Sequence, residues 1–375
     1  MVLCCGTSYR EATDTGQWSM IPTSMNELSD YDYELPPELL AKEPPPRRED
    51  AKLMVVRRHE RTISHHSVAD LPQLLSSGDC LVLNNTKVVP ARLFGVRTET
   101  GGKWEGLFLD EPEAGTWRLI GETRGKLQAG ETLTLHPVHA DNSDETLVLK
   151  LIEREEGVWF AKPNSTTNAV ELLTTFGTLP LPPYIGRKVA NENDRTRYQT
   201  TFAKEAGAIA APTAGLHLTP AILEQCQSLG VGQEFVTLHV GIGTFRPVST
   251  DNIDEHVMHS ERCIIDAATA GRINTARSNG GRAIAIGTTS VRTLESASAA
   301  TGQLTQFAGD TDIFIRPPYE FQSVDGLLTN FHLPKSTLLM LVAAFADLEL
   351  LQEAYRTAIA QRYRFYSYGD AMLIL

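Results

Sequence analysis

The chain has 375 residues, 42% hydrophobic and 21% charged, with a formal net charge of −12. This is the composition of a soluble globular protein long enough for two or three domains. The uninterrupted apolar run 338–346 has nine residues, whereas a membrane-spanning helix needs about 20. The first residues lack the basic start and apolar block of a secretory signal. Five cysteines, an odd count with no C-x-x-C pair, argue against a disulfide framework and a cysteine zinc site. The cytoplasm is the expected compartment. An acidic chain offers nucleic acid no global attraction, so any RNA partner requires a local basic surface.

In chain order, residues 1–28 show no sustained periodicity and read as a poorly ordered extension. "YDYELPPELLAKEPPPRRED" (31–50) is stopped by prolines. "KLMVV" (52–56) and "DCLVLNN" (79–85) read as buried strands, with a helical or turn segment near 71–75 between them. From about 92 to 162 the segments "ARLFGV", "KWEGLFL", "TWRLIG", "ETLTLH", "TLVLKLI" and "GVWFAK" are punctuated by Gly, Asp, Asn and Glu. None has a helical repeat, and six short strands predict a small barrel or sandwich.

Strands and helices then alternate. Residues 219–230 form a helix with Thr219 as N-cap, Pro220 at its first position and Gly230 beyond its end. Residues 234–240 are a strand, 266–280 a helix capped by Asp266, and 282–287 a strand running into a helix over 288–300. The pattern predicts an α/β fold with the strand-rich stretch inserted into it or beside it.

Several motifs carry chemistry. "GTTSVRTLES" (287–296) puts Thr288, Thr289 and Ser290 at a helix start, where free backbone N–H groups suit an anion; Arg292 and Glu295 follow three apart, the spacing of a surface ion pair. "HVGIGTFRPV" (239–248) has the G-x-G of a nucleotide loop but lacks its third glycine, so Gly241, Gly243, Thr244 and Arg246 fit close ligand approach rather than the dinucleotide fingerprint. "APTAGLHLT" (211–219) presents Thr213 and His217 before a capped helix, and "HVMHSE" (256–261) lacks zinc spacing. "LLTNFHLPKSTLLMLVAAF" (327–345) resembles the end of a phosphate loop without its glycines. It reads as a buried helix whose first turn offers Lys335, Ser336 and Thr337, preceded by Asn330 and His332. "RYRFYSYGDAM" (362–372) mixes Arg with aromatics, which suits base stacking, sulfonium binding or an ordinary core strand.

Taken in order, "YDYELPPELLA", "DCLVLNNTKVVPARLFG", "LPLPPYIGR", "RYQT", "AAPTAGLHLT", "HVGIGTFRPV", "GTTSVRTLES", "DGLLTNFHLPKSTLLMLV" and "YRFYSYGDAMLI" resemble the S-adenosylmethionine:tRNA ribosyltransferase-isomerase family over 31–375. The resemblance implies a large discontinuous α/β domain, 29–90 and 163–375, carrying a smaller inserted antiparallel β-barrel over 91–162, although the 92–162 stretch matches mainly in layout. Ala51-Lys52 stands where the family usually has Ser-Arg, Leu218 where it usually has Phe, and "ETRGKLQAG" (122–130) is a looser form of its basic strand-turn.

The resemblance implies transfer and isomerisation of the ribosyl part of S-adenosylmethionine onto 7-aminomethyl-7-deazaguanine at the tRNA wobble position. The product is epoxyqueuosine-tRNA, with adenine and methionine released. It implies no metal and no second cofactor, S-adenosylmethionine being consumed, and tRNA as partner of a monomer. Candidate acid/base groups are His217 and His332, with Asp370 and Glu295 as carboxylates that tune them or face the sulfonium. Candidates for holding substrate are Thr213, Gly241, Gly243, Thr244, Arg246, Thr288, Thr289, Ser290, Arg292, Asn330, Lys335, Ser336, Thr337 and Tyr368. Arg47, Arg48, Lys87 and Arg92 are the expected tRNA phosphate contacts. The competing readings are a small-molecule S-adenosylmethionine or nucleoside lyase, and a non-catalytic tRNA-binding module.

Overall fold

A computed structural model describes residues 26–138, 144–241, 243, 248 and 250–375, so most of the 1–28 extension lies outside the described residues. A nine-stranded mixed sheet forms the frame. Its centre is four mutually parallel strands, in the order Gly232–Leu238, Cys80–Asn84, Ala283–Ile286 and Gly326–Asn330. Ala371–Ile374 runs antiparallel to the last of these and parallel to Lys52–Arg57. Cys80–Asn84, Ala283–Ile286 and Gly326–Asn330 are buried along their whole length, which is why they read as apolar runs rather than as alternation.

Both faces of the sheet are covered. On one, Val82, Ala285 and Leu327 pack against Ile273 of helix Ala267–Ser278, Leu294 of Thr288–Ser298, Met340 of Thr337–Ala346 and Ala354 of Leu348–Ala360. On the other, Leu81, Leu83 and Ile284 meet Ile222 and Cys226 of Pro220–Ser228. The caps are those the sequence specifies. Thr219 Oγ1 accepts the Ile222 N–H at 3.3 Å, and Asp266 Oδ1 the Thr269 N–H at 2.7 Å.

The six expected short strands close into a barrel between Arg92 and Pro163. Closure comes from Arg92–Arg97 pairing antiparallel with Thr132–Leu135, Gly95 opposite Leu135. Trp104, Phe108, Trp117 and Trp159 fill the interior. Helix Ala169–Phe176 buries Leu173 and Phe176 in that same core, so packing carries the barrel unit some way past residue 162. The Trp104 ring lies across Gly106 and Gly121, which face each other on adjacent strands. A Cβ on Gly106 would come within 2.2 Å of that ring, and one on Gly121 within 2.6 Å.

Replacing Gly121 by Ala forces the indole from its slot and is expected to destabilise the barrel by about 1–3 kcal/mol. Chemical denaturation of the variant beside the parent chain measures this; an unchanged midpoint would show that the slot tolerates a methyl group.

Candidate active site

The four parallel strands end on one edge of the sheet, and the segments leaving that edge enclose a crevice, the usual ligand position in open α/β sheets. Two joined clefts lie there. The inner one, about 70 Å³, is lined by Thr213 and by Gly287, Thr288 and Thr289 at a helix start, and by Asn330 and His332 beyond a strand end. The outer one, about 510 Å³, is walled by His256, His259, Phe314, Lys335, Ser336 and Thr337. Glu261, Arg292, Leu338 and Tyr366 line both and form the neck between them.

The neck is held by a buried ion pair. Arg292 Nη1 donates to Glu261 Oε2, Arg292 Nη2 reaches the Thr311 carbonyl at 3.3 Å, and Glu261 Oε1 accepts the Gly241 N–H at 2.8 Å. Both side chains are nearly inaccessible, 8% and 5% exposed, so neither charge is well solvated and each depends on the other. The expected i, i+3 pairing of Arg292 with Glu295 does not form. Glu295 accepts from the Tyr319 hydroxyl at 3.1 Å, the Gln322 N–H at 2.9 Å and the Ser323 N–H at 3.0 Å, clamping that loop onto its helix. Burial pushes its carboxyl above the ordinary range, and it lines neither cleft.

The two histidines have different stations. His332 lines the inner cleft, with its Nε2 2.8 Å from Thr329 Oγ1. Its backbone N–H donates to the Tyr355 hydroxyl oxygen at 2.9 Å, and its carbonyl accepts from the Tyr33 hydroxyl. His217 sits behind Asn330. Thr213 Oγ1 donates to Asn330 Oδ1 at 2.9 Å, which leaves Asn330 Nδ2 to donate to His217 Nε2 at 3.1 Å. That bond fixes the proton of neutral His217 on Nδ1. Burial drives both imidazoles down to about 3, with Arg364 and Arg48 adding to the effect at His217. Both rings are therefore neutral across the physiological range.

Other expected residues occupy supporting positions. The Asp370 carboxylate accepts the Lys52 N–H at 3.1 Å, the Arg364 N–H at 2.8 Å and Arg364 Nη2 at 3.2 Å, tying down the final turn rather than facing a cleft. The Tyr368 hydroxyl reaches Asp194 at 3.3 Å, and Ser290 Oγ donates to the Ile286 carbonyl at 3.0 Å. Ser336 caps the helix Thr337–Ala346 by accepting the Leu339 N–H at 3.2 Å, and Lys335 Nζ pairs with Asp32 at 2.7 Å. Thr244 and Arg246 lie outside the described residues, while Gly243 touches the outer cleft.

The expected phosphate contacts divide. Arg48 donates to the carbonyls of Leu216, Thr196 and Gln199 at 2.7–2.9 Å, and Arg92 pairs with Glu105 at 2.7 Å. Arg47 pairs with Asp50 at the surface. Exposed Lys87 borders a groove of about 300 Å³ lined by Val170 and Gly177 on the barrel side and by Gln199 and Ala206 on the sheet side. The sequence reading missed Glu261, and it singled out the 362–372 stretch for its aromatics while naming Tyr368 rather than Tyr366. The glutamate stands at the end of a histidine-containing stretch considered only for zinc, and no local spacing ties it to Arg292. Among the described residues no group of three or more His, Cys, Asp and Glu could hold a metal ion, and no helix is long and apolar enough to cross a membrane.

Fold and crevice together define an α/β protein with an inserted β-barrel and a partly buried, polar-lined cleft where the parallel strands end. The family model described as queuosine biosynthesis protein matches residues 28–374. The S-adenosylmethionine:tRNA ribosyltransferase-isomerase of Staphylococcus saprophyticus is 44% identical over 350 residues, covering 93% of this chain and 100% of that one. That of Geobacter metallireducens is 46% identical over 351 residues, covering 92% and 99%. The crystal structure of the S-adenosylmethionine tRNA ribosyltransferase of Thermotoga maritima superposes with a TM-score of 0.52 at 36% identity, covering 92% of this chain and all of that one. The chain belongs to the queuosine biosynthesis protein family.

Acid titration reads the buried histidines. The unfolded chain protonates them near 6.5 and the folded chain only near 3, so the unfolded state binds more protons between these values. Stability is thus fully present above about pH 6.5 and is lost as pH falls toward 3. Each histidine is expected to cost about 2 kcal/mol on going from pH 8 to pH 5. Urea unfolding at both pH values should show a smaller loss for His332→Asn than for the parent chain; equal losses would mean that the ring is protonated in the folded state.

Proposed function

We propose that the chain transfers the ribosyl moiety of S-adenosylmethionine to the 7-aminomethyl-7-deazaguanine base at the tRNA wobble position and isomerises it, giving epoxyqueuosine-tRNA with release of adenine and methionine. The observation that carries this reading is the pair of joined clefts built from the family-matching segments. The outer one has the volume for a nucleoside, and the inner one presents polar groups and a neutral imidazole. The base enters such a pocket unstacked, since its amine must reach the sugar.

The sulfonium acidifies the hydrogens on the adjoining 5′ carbon, so a positioned base can remove one. His332 is the candidate because its unprotonated ring borders the cleft; burial weakens it as a base, so the proton it takes is held only in passing. Once protonated in so dry a setting, its ring is a strong acid that readily passes the proton to departing adenine. Methionine leaves as a neutral thioether. His217 acts one step back, holding Asn330 through its Nε2. Lys335, Ser336 and Thr337 border the substrate from the outer cleft. No cofactor is required in this scheme.

Lys87, exposed where the barrel meets the α/β domain, is the proposed tRNA phosphate contact, with Arg47 at the surface. The protein acts as a cytoplasmic monomer. Because the contacts are local on an acidic chain, tRNA affinity is expected to fall steeply with salt.

Incubation with labelled S-adenosylmethionine and tRNA carrying the aminomethyl base is expected to release adenine only when that tRNA is present. Release without tRNA would instead identify a lyase. Bound tRNA without release would identify a binding module, and S-adenosylhomocysteine as product would mean methyl transfer.

A further inference from the structure

We infer that the inner cleft is a subsite for an α-amino carboxylate, the methionyl end of S-adenosylmethionine, and that the adenosyl part and the tRNA base occupy the outer cleft. The inference rests on the proposed use of S-adenosylmethionine and assigns the two ends of that molecule to particular residues.

The inner cleft has the chemistry of an oxyanion site. Helix Thr288–Ser298 begins there after Gly287, whose φ is +88°, and has no side-chain cap, so the positive end of its dipole faces the cleft. A helix N-terminus alone does not specify a ligand. The second observation is the guanidinium beside it. Arg292 is 6% exposed and lines the cleft, and among the described residues its Nε has no hydrogen-bond partner. Thr289 Oγ1 is likewise buried and without a partner there. Buried polar groups are nearly always satisfied, and both residues line this cleft, so two unmatched polar atoms beside it call for a partner.

The neighbouring charge selects the kind of acceptor. Glu261 lines the same cleft, its two oxygens already engaged by Arg292 and the Gly241 N–H but each retaining a lone pair. A doubly charged phosphate would sit against this carboxylate and be repelled. An α-amino acid places its carboxylate on the donors and its ammonium against Glu261. The volume agrees: about 70 Å³ admits the head of an amino acid, while a purine ring requires the outer cleft of about 510 Å³. From the inner cleft, the thioether chain runs through the neck past Tyr366, which lines both spaces and is the aromatic residue nearest the path of the sulfonium.

Calorimetric titration of the full chain with L-methionine tests the assignment without tRNA or turnover. L-Methionine is expected to bind and to compete with S-adenosylmethionine. Methioninol, lacking the carboxylate, and 4-(methylthio)butanoate, lacking the ammonium, are each expected to bind at least about tenfold more weakly. Thr289→Val should weaken L-methionine by a similar factor at unchanged melting temperature, and Thr289→Ser should restore it. Failure of L-methionine to bind, binding of either analogue as tightly as L-methionine, or displacement by inorganic phosphate would overturn the assignment. Tight L-methionine binding by a chain that releases no adenine would instead contradict the proposed reaction and leave the subsite standing.

Discussion

The buried ion pair between Glu261 and Arg292 is the constraint on which the crevice depends. It joins the first turns of helix Thr288–Ser298 to the strand Glu261–Ile265 and, through the Gly241 N–H, to the segment leaving the strand Gly232–Leu238. Three segments of the crevice wall are thereby tied at one point. Burying two charges is not in itself stabilising, because desolvation offsets most of their attraction, whereas losing one partner leaves the other stranded at a cost of roughly 3–5 kcal/mol. What the pair contributes is position: a guanidinium held at the neck of a cleft, its Nε without a partner among the described residues.

A second constraint is dryness. His217 and His332 are enclosed so completely that protonation is suppressed, which makes them directional hydrogen-bonding groups rather than charges. Around His332 the support is dense: Thr329, Tyr355 and Tyr33 each hold a different atom of the residue. The apolar helix Thr337–Ala346 begins just beyond and packs against the sheet, so the polar residues preceding it sit on a fixed support. Rigid apolar anchoring and a neutral polar lining here come from one continuous stretch of sequence.

Much of the architecture was legible in the residues. The barrel strands alternate at period two, the central strands are unbroken apolar runs, and Thr219, Asp266 and Gly230 mark helix ends by their own chemistry. Less legible were features whose partners are distant in sequence. Glu261 and Arg292 are 31 positions apart, and nothing local distinguishes this glutamate from an exposed one. Glu295 reads as a surface partner of Arg292, yet it turns to a loop 24–28 residues onward. Arg48 has the look of a phosphate contact, but three backbone carbonyls take up its guanidinium. In each case the residue type was informative, and tertiary packing alone decided its partner.

On the proposed reaction, the chemistry takes place in the crevice with neutral His332 as its proton-transfer group. The most direct measurement is single-turnover adenine release by His332→Ala, with S-adenosylmethionine and tRNA affinities determined on the same preparation. The account predicts a rate lower by about a hundredfold or more with both affinities within a few-fold of the parent chain. A rate equal to that of the parent chain at normal affinity would contradict it and place the proton transfer elsewhere.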